Sequence, residues 1–146
     1  MSASSDLTFR VFVNKVKSVA ESSGLKLSQS IFSISNIPKT IMDLGFCIDL
    51  QTQDTGKYRG YDERIRISHR LTILFAKKIK PLDQFTSQLE SLDIEEKVIA
   101  SLSDRNNFPD AIIDWKSTRR TIVSSREYQI VEIAFDCESD WSFASF

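Results

Sequence analysis

Apolar residues at Phe9, Phe12, Val13, Val16, Val19 and Ala20 fall on one side of a 3.6-residue repeat, which predicts an amphipathic first helix. Ser5 is placed to cap its start and Asp6 to meet the positive end of its dipole. Gly24 is placed to end it in a left-handed turn. Residues 25–45 follow neither period, and Pro38 argues against a continuous helix there. That segment is read as an extended or turn-like lead into a strand.

From Phe46 the period changes to two. Phe46, Ile48 and Leu50 alternate with Cys47, Asp49 and Gln51, predicting a strand. The polar stretch Gln51–Gly60 is expected to form a long exposed hairpin loop or arm. The longest alternation sets Ile65, Ile67, His69, Leu71, Ile73 and Phe75 against Arg64, Arg66, Ser68, Arg70 and Thr72. Such a strand has one face on a core and the other toward solvent or a partner. Pro81 suits the first turn of a second helix, with an inner stripe expected at Leu82, Phe85, Leu89 and Leu92. Asp93 and Glu96 resemble a capping box, predicting a fresh helical segment to about Leu102 with Ile94, Val98, Ile99 and Leu102 buried. The last third reads as a hairpin, Ile113–Val123 and Val131–Cys137, turning at Ser124–Glu127.

The order helix, strand, strand, helix, strand, strand indicates an α+β fold. The expected architecture is a two-layer sandwich: a mainly antiparallel sheet of about four strands with both helices on one face. At 146 residues the chain is expected to be one domain, residues 1–146, with a core over about 6–137 and a polar tail over 138–146. Two helices cover one face of such a sheet, which leaves the other to water or to another subunit.

Composition narrows the function. Nineteen basic residues against twenty acidic ones argue against a protein that grips nucleic acid through its phosphates. No apolar run approaches the ~20 residues of a membrane span, and Met1–Asp6 lacks the build of a signal peptide. Cys47 and Cys137 sit in strand segments and are expected to be buried thiols.

Candidate chemistry is sparse. His69 is the single histidine and falls on the apolar face of the strongest strand, where a buried structural histidine is expected. The scattered glycines Gly45, Gly56 and Gly60 build no phosphate loop. Glu95 with Glu96, and Asp136 with Glu138 and Asp140, are read as solvated charge. No catalytic residue, metal ligand or cofactor site is therefore expected. Two features stand out. Arg64, Arg66 and Arg70, with Arg119 and Arg120 on a strand that could lie nearby, form a candidate partner surface, because arginine forks suit carboxylate or phosphate groups. Gly56, Lys57, Tyr58 and Arg59 sit near the tip of the expected loop, an arm suited to reach a neighbouring subunit.

This layout resembles the tail terminator, or tail-completion, proteins of long-tailed bacteriophages, including the lambda type. The resemblance runs over about residues 6–137. It comprises the N-terminal helix, the segment around Asn36-Ile37-Pro38, and the strand Phe46–Leu50 with its polar loop. The arginine-bearing strand, the helix from Pro81 and the late hairpin ending Tyr128–Phe135 complete it. The resemblance implies a virion structural protein of the tail neck, assembled in the host cytoplasm as a hexameric ring. Such a ring caps the tail tube, offers a surface to the head-side connector or stopper protein, and lets DNA pass through its channel. On that view Arg64, Arg66, Arg70, Arg119 and Arg120 meet an adjacent protomer, and Gly56, Lys57, Tyr58 and Arg59 contact the tube. The alternatives are another neck component (head-to-tail joining or stopper) and, from a different class, a nucleic-acid-binding α+β module.

Overall fold

The fold is given by a computed structural model describing residues 9–27, 43–58, 64–109, 111–123 and 127–142, with backbone alone described at 52–58, 64–66 and 140–142. Its elements are α1 (Phe9–Ser22), β1 (Lys26–Leu27), β2 (Gly45–Tyr58), β3 (Arg64–Lys78), α2 (Gln84–Ser103), β4 (Ala111–Val123) and β5 (Tyr128–Ser142).

The class is α+β, as the periodicities predict. The sheet has five strands in the order β1-β2-β3-β5-β4, not four, because the two-residue β1 pairs in parallel with β2. All other pairings are antiparallel. β3 lies at the centre, where its strict alternation of apolar residues belongs, and β4 forms one edge.

α1 buries Phe12, Val16 and Ala20, with Val13 and Val19 packed at the margin, as expected. Gly24 takes φ +100° and closes the helix. Its N–H donates to the carbonyl of Glu21 (3.1 Å), and that of Leu25 donates to the carbonyl of Ala20 (3.3 Å). This double return satisfies carbonyls that the helix end leaves orphaned. The expected cap, Ser5 with Asp6, lies outside the described residues, as does Pro38.

Both helices cover the same sheet face. One core joins Phe12, Val16 and Ala20 of α1, Val98 and Leu102 of α2, Ile67, Leu71, Ile73 and Phe75 of β3, and Val131, Ile133 and Phe135 of β5. The opposite face is not uniformly open. At one end Cys47, Leu74, Ala76 and Ile130 are buried, with Val123 and Tyr128 packed against them. An open surface over the whole far side is thus corrected to an open surface over part of it.

Three local expectations need correction. The stretch Gln51–Gly60 is not a loop as far as Tyr58. β2 continues through it, pairing with β3 to Tyr58 opposite Ile65, with register shifts between Thr52 and Asp54 and between Thr55 and Tyr58. The strand continues through polar sequence because the ladder to β3 is made by main-chain groups, whatever the side chains. The tail expected at 138–146 is strand as far as Ser142, since β5 pairs with β3 up to Arg64 opposite Ser142. The third correction concerns α2, which is a single helix: Asp93 and Glu96 fall in its interior and cap nothing.

Candidate functional site: the open sheet face and the outer flank of α2

α2 rests on the sheet through a buried row of Ser87, Ser91, Glu95, Val98 and Leu102. Its N-terminal half makes polar contacts. The Ser91 hydroxyl donates to Gln129 Oε1 of β5 (3.1 Å), and Lys77 Nζ of β3 lies 2.9 Å from Glu90. Arg120 of β4 donates to Glu95, a carboxylate buried under the helix. Glu95 is therefore a paired structural charge, correcting its reading as solvated.

The expected inner stripe is the outer one. Leu82 is 102% exposed, Phe85 71%, Leu89 44% and Leu92 46%. The reason is geometric. Leu89 and Val98 are nine residues apart, about two and a half turns at 3.6 residues per turn, so they point in opposite directions. One helix can bury only one of these rows. The Val98–Leu102 end enters the core beside Phe108 and Ala111, and the polar anchors at Ser91 and Glu95 lie on that same row. The Phe85–Leu92 row is left outside.

The anchors also fix which way this row faces. Glu90 reaches Lys77 on the inner strand β3, and Glu95 reaches Arg120 on the edge strand β4. In steps of about 100° per residue, Leu92, Phe85 and Leu89 follow beyond Glu95 on the side away from Glu90. They overhang the β4 edge. Trp115 (49% exposed) and Ile122 (54%) stand on the helix-facing side of β4 itself.

The charged part of the opposite face lies around a shallow depression of about 390 Å³ lined by Asp49, Gln51, Arg70, Thr72, Ser117, Arg119, Glu132 and Ala134. Arg119 donates from Nε (3.1 Å) and Nη2 (2.7 Å) to Glu132 Oε2, and Lys116 lies 3.8 Å from Asp136. Arg70 is exposed and stands in register between Gln51 and Asp136. The arginines are thus interleaved with carboxylates, so like-charge repulsion is not the character of this surface. Arg119 and Arg120, adjacent in sequence, point to opposite faces. Only Arg119 joins Arg70 on the open one.

Arg64 and Arg66 are placed in β3 opposite Ser142 and Asp140, while their side chains lie outside the described residues. Gly56, Lys57 and Tyr58 are on β2 with side chains likewise outside the description, and Arg59 is outside it altogether.

The remaining candidate groups sit in the core. His69 is buried against Phe9 (edge-on, 5.7 Å between ring centroids) and Phe12 (stacked, 6.4 Å). Desolvation lowers its pKa. Burial pushes the Cys137 thiol up to about 12, with Asp136 and then Asp114 adding to the rise, so it stays protonated and unreactive. Cys47 and Cys137 are buried thiols not joined in a disulfide, on opposite faces of the sheet and on strands separated by β3. Sequence reasoning missed the outer flank of α2 as a candidate surface. The available signal was the conflict between two apolar rows half a turn apart. No protein-family model matches the chain, and no curated protein matches it.

Proposed function

We infer that this chain is a structural protein that acts by assembling with copies of itself, as a ring of the tail-terminator kind. The observation carrying the reading is the apolar flank of α2. Taking ~200 Å² for a fully exposed large apolar side chain, Phe85, Leu89 and Leu92 together present about 320 Å² on one flank of α2. The largest apolar patch on a typical monomer is about 300–600 Å² and is often a functional one. A surface of that size is suited to burial against protein.

In this reading the ring, a homohexamer, caps the tail tube and joins it to the head-side connector or stopper, and DNA only passes through its channel. The far end of the β2–β3 hairpin, with Gly56, Lys57, Tyr58 and Arg59, reaches the tube. The charged open face, with Arg70 and Arg119, meets a protein surface. Its carboxylates Asp49, Glu132 and Asp136 disfavour phosphate, and its described side chains offer no aromatic platform for base stacking. The role is non-catalytic and located in the virion neck.

Native mass spectrometry of the purified chain tests self-assembly, with a stable hexamer expected. Addition to unfinished tail tubes tests the role, with tubes held at fixed length expected. A protein that stays monomeric at tens of micromolar overturns the reading.

A further inference from the structure

The outer row of α2 lies at a definite level along the sheet. The Ser91 hydroxyl donates to Gln129, and Gln129 is in register with Ile122 of β4. Leu89 and Leu92, on either side of Ser91, therefore stand near the Val123 end of β4, beside the exposed Ile122. β4 is an edge strand, and among the described residues no strand pairs with its outer side. Its cations are already matched within the chain, Lys116 with Asp136, Arg119 with Glu132 and Arg120 with Glu95, so a second copy of the strand beside it meets little repulsion. Phe85, Leu89, Leu92 and Glu96 follow one another at steps of four, three and four residues. That spacing is the narrow seam by which a helix packs on a helix, not the broader stripe by which a helix covers a sheet. Glu96 makes no ion pair among the described residues.

We propose that two copies pair about a two-fold axis beside Ile122, α2 of one lying antiparallel against α2 of the other, with Leu89 of each meeting Leu92 of its mate. This rests on the self-assembly reading and names its contact: a two-fold contact closes at two copies, so six copies assemble as three pairs. The row is complementary to itself in this direction. Centred between Glu90 and Ser91, the pairing lays Leu89 on Leu92 twice and sets Phe85 opposite Glu96 twice. Glu96 then faces the first turn of the other α2, where Asp83 provides no side-chain cap and the N–H groups carry the positive end of the helix dipole. A parallel pairing sets Glu96 beside Glu96 and aligns the two dipoles, which is disfavoured. The spacing agrees. α2 is anchored on both β5 and β4, and two strands span about 10 Å. With the Ile122 ends of β4 side by side, the helix axes stand about 10 Å apart, the distance at which helices pack. The row supplies about 320 Å² of apolar surface per copy. The ~800 Å² that each partner gives to a standard interface draws in the polar flanks of α2 and the end of β4 as well.

Cross-linking reads this geometry directly. Leu89→Cys and Leu92→Cys chains, co-expressed and oxidised, are expected to give a dimer linked from position 89 to position 92, identified by mass spectrometry of the digest. Glu21→Cys, exposed on α1, is expected to stay unlinked. In native mass spectrometry the wild type is expected as even-numbered oligomers. Leu89→Asp with Leu92→Asp is expected to lose the pair; both side chains are exposed, so the fold is retained, and thermal unfolding by circular dichroism checks that it is. A folded Leu89→Asp/Leu92→Asp variant with the wild-type oligomer distribution overturns the seam and leaves self-assembly standing. An assembled wild type with an odd number of copies does the same, as does an oxidised mixture without the 89–92 link. A wild type that stays monomeric at tens of micromolar overturns the self-assembly reading and the seam with it.

Discussion

Arg119 and Arg120 differ in what their loss costs, although they are neighbours in the chain. Arg120 is the partner of a carboxylate buried under α2, and removing it leaves Glu95 desolvated and unpaired. Arg120→Ala is expected to destabilise by about 2 kcal/mol. Arg119 is 65% exposed in its pair with Glu132, and Arg119→Ala is expected to cost less than about 1 kcal/mol. Urea unfolding of the two variants checks the order; equal losses would show that Glu95 does not depend on Arg120. His69 carries the pH dependence at this scale. Desolvation lowers its folded pKa below 6.5, so the unfolded chain takes up a proton where the folded one does not. Its contribution is complete above pH 6.5 and is lost as pH falls through the lowered folded value. His69→Gln is expected to flatten the fall in unfolding free energy over that window, measured by urea titration from pH 7.5 to 5. A variant as pH-sensitive as the wild type would assign the dependence to other groups.

At the scale of elements, the helix ends and helix faces follow different rules. α1 is specified locally: one apolar row, one glycine, one direction to face. Gly24 holds φ +100° with nothing within 4 Å of where a Cβ would stand, so an alanine there meets backbone strain and no clash. Gly24→Ala is expected to cost about 1 kcal/mol, lowering the melting temperature by about 3 °C. An unchanged melting temperature would contradict the cap. α2 is specified by its neighbours. Its sequence carries an apolar row at Phe85–Leu92 and another at Val98–Leu102, and no rotation buries both. Gln129, Lys77 and Arg120, contributed by three strands, choose between them.

At the scale of the whole molecule, the exposed apolar row of Phe85, Leu89 and Leu92 sets how self-assembly is expected to answer to salt. The Debye length shrinks from about 10 Å at 0.1 M to about 3 Å at 1 M. An association carried by that row is therefore expected to persist on passing from about 0.05 to about 0.5 M sodium chloride, where contacts between charged groups are screened. Sedimentation velocity at both concentrations checks this. An association lost at the higher concentration would point to a charge-borne contact instead.

Periodicity alone determined the α+β class, the order of the elements other than β1, the inward face of α1, the central strand and the late hairpin, because a buried face must repeat with the period of its backbone. The burial of His69 and Cys137 was legible for the same reason, whereas Cys47, on the alternate side of β2, is buried by the small cluster on the far face. What only the tertiary structure decided is wherever hydrogen bonding to another strand, or a polar anchor on another element, outweighed local pattern. Pairing with β3 carried β2 on to Tyr58 and β5 on to Ser142 through polar sequence. Strand alternation and the bulge between Trp115 and Ser117 sent Arg119 and Arg120 to opposite faces. The contacts beneath α2 turned Phe85, Leu89 and Leu92 outward, where their exposed area lies along one edge of the sheet.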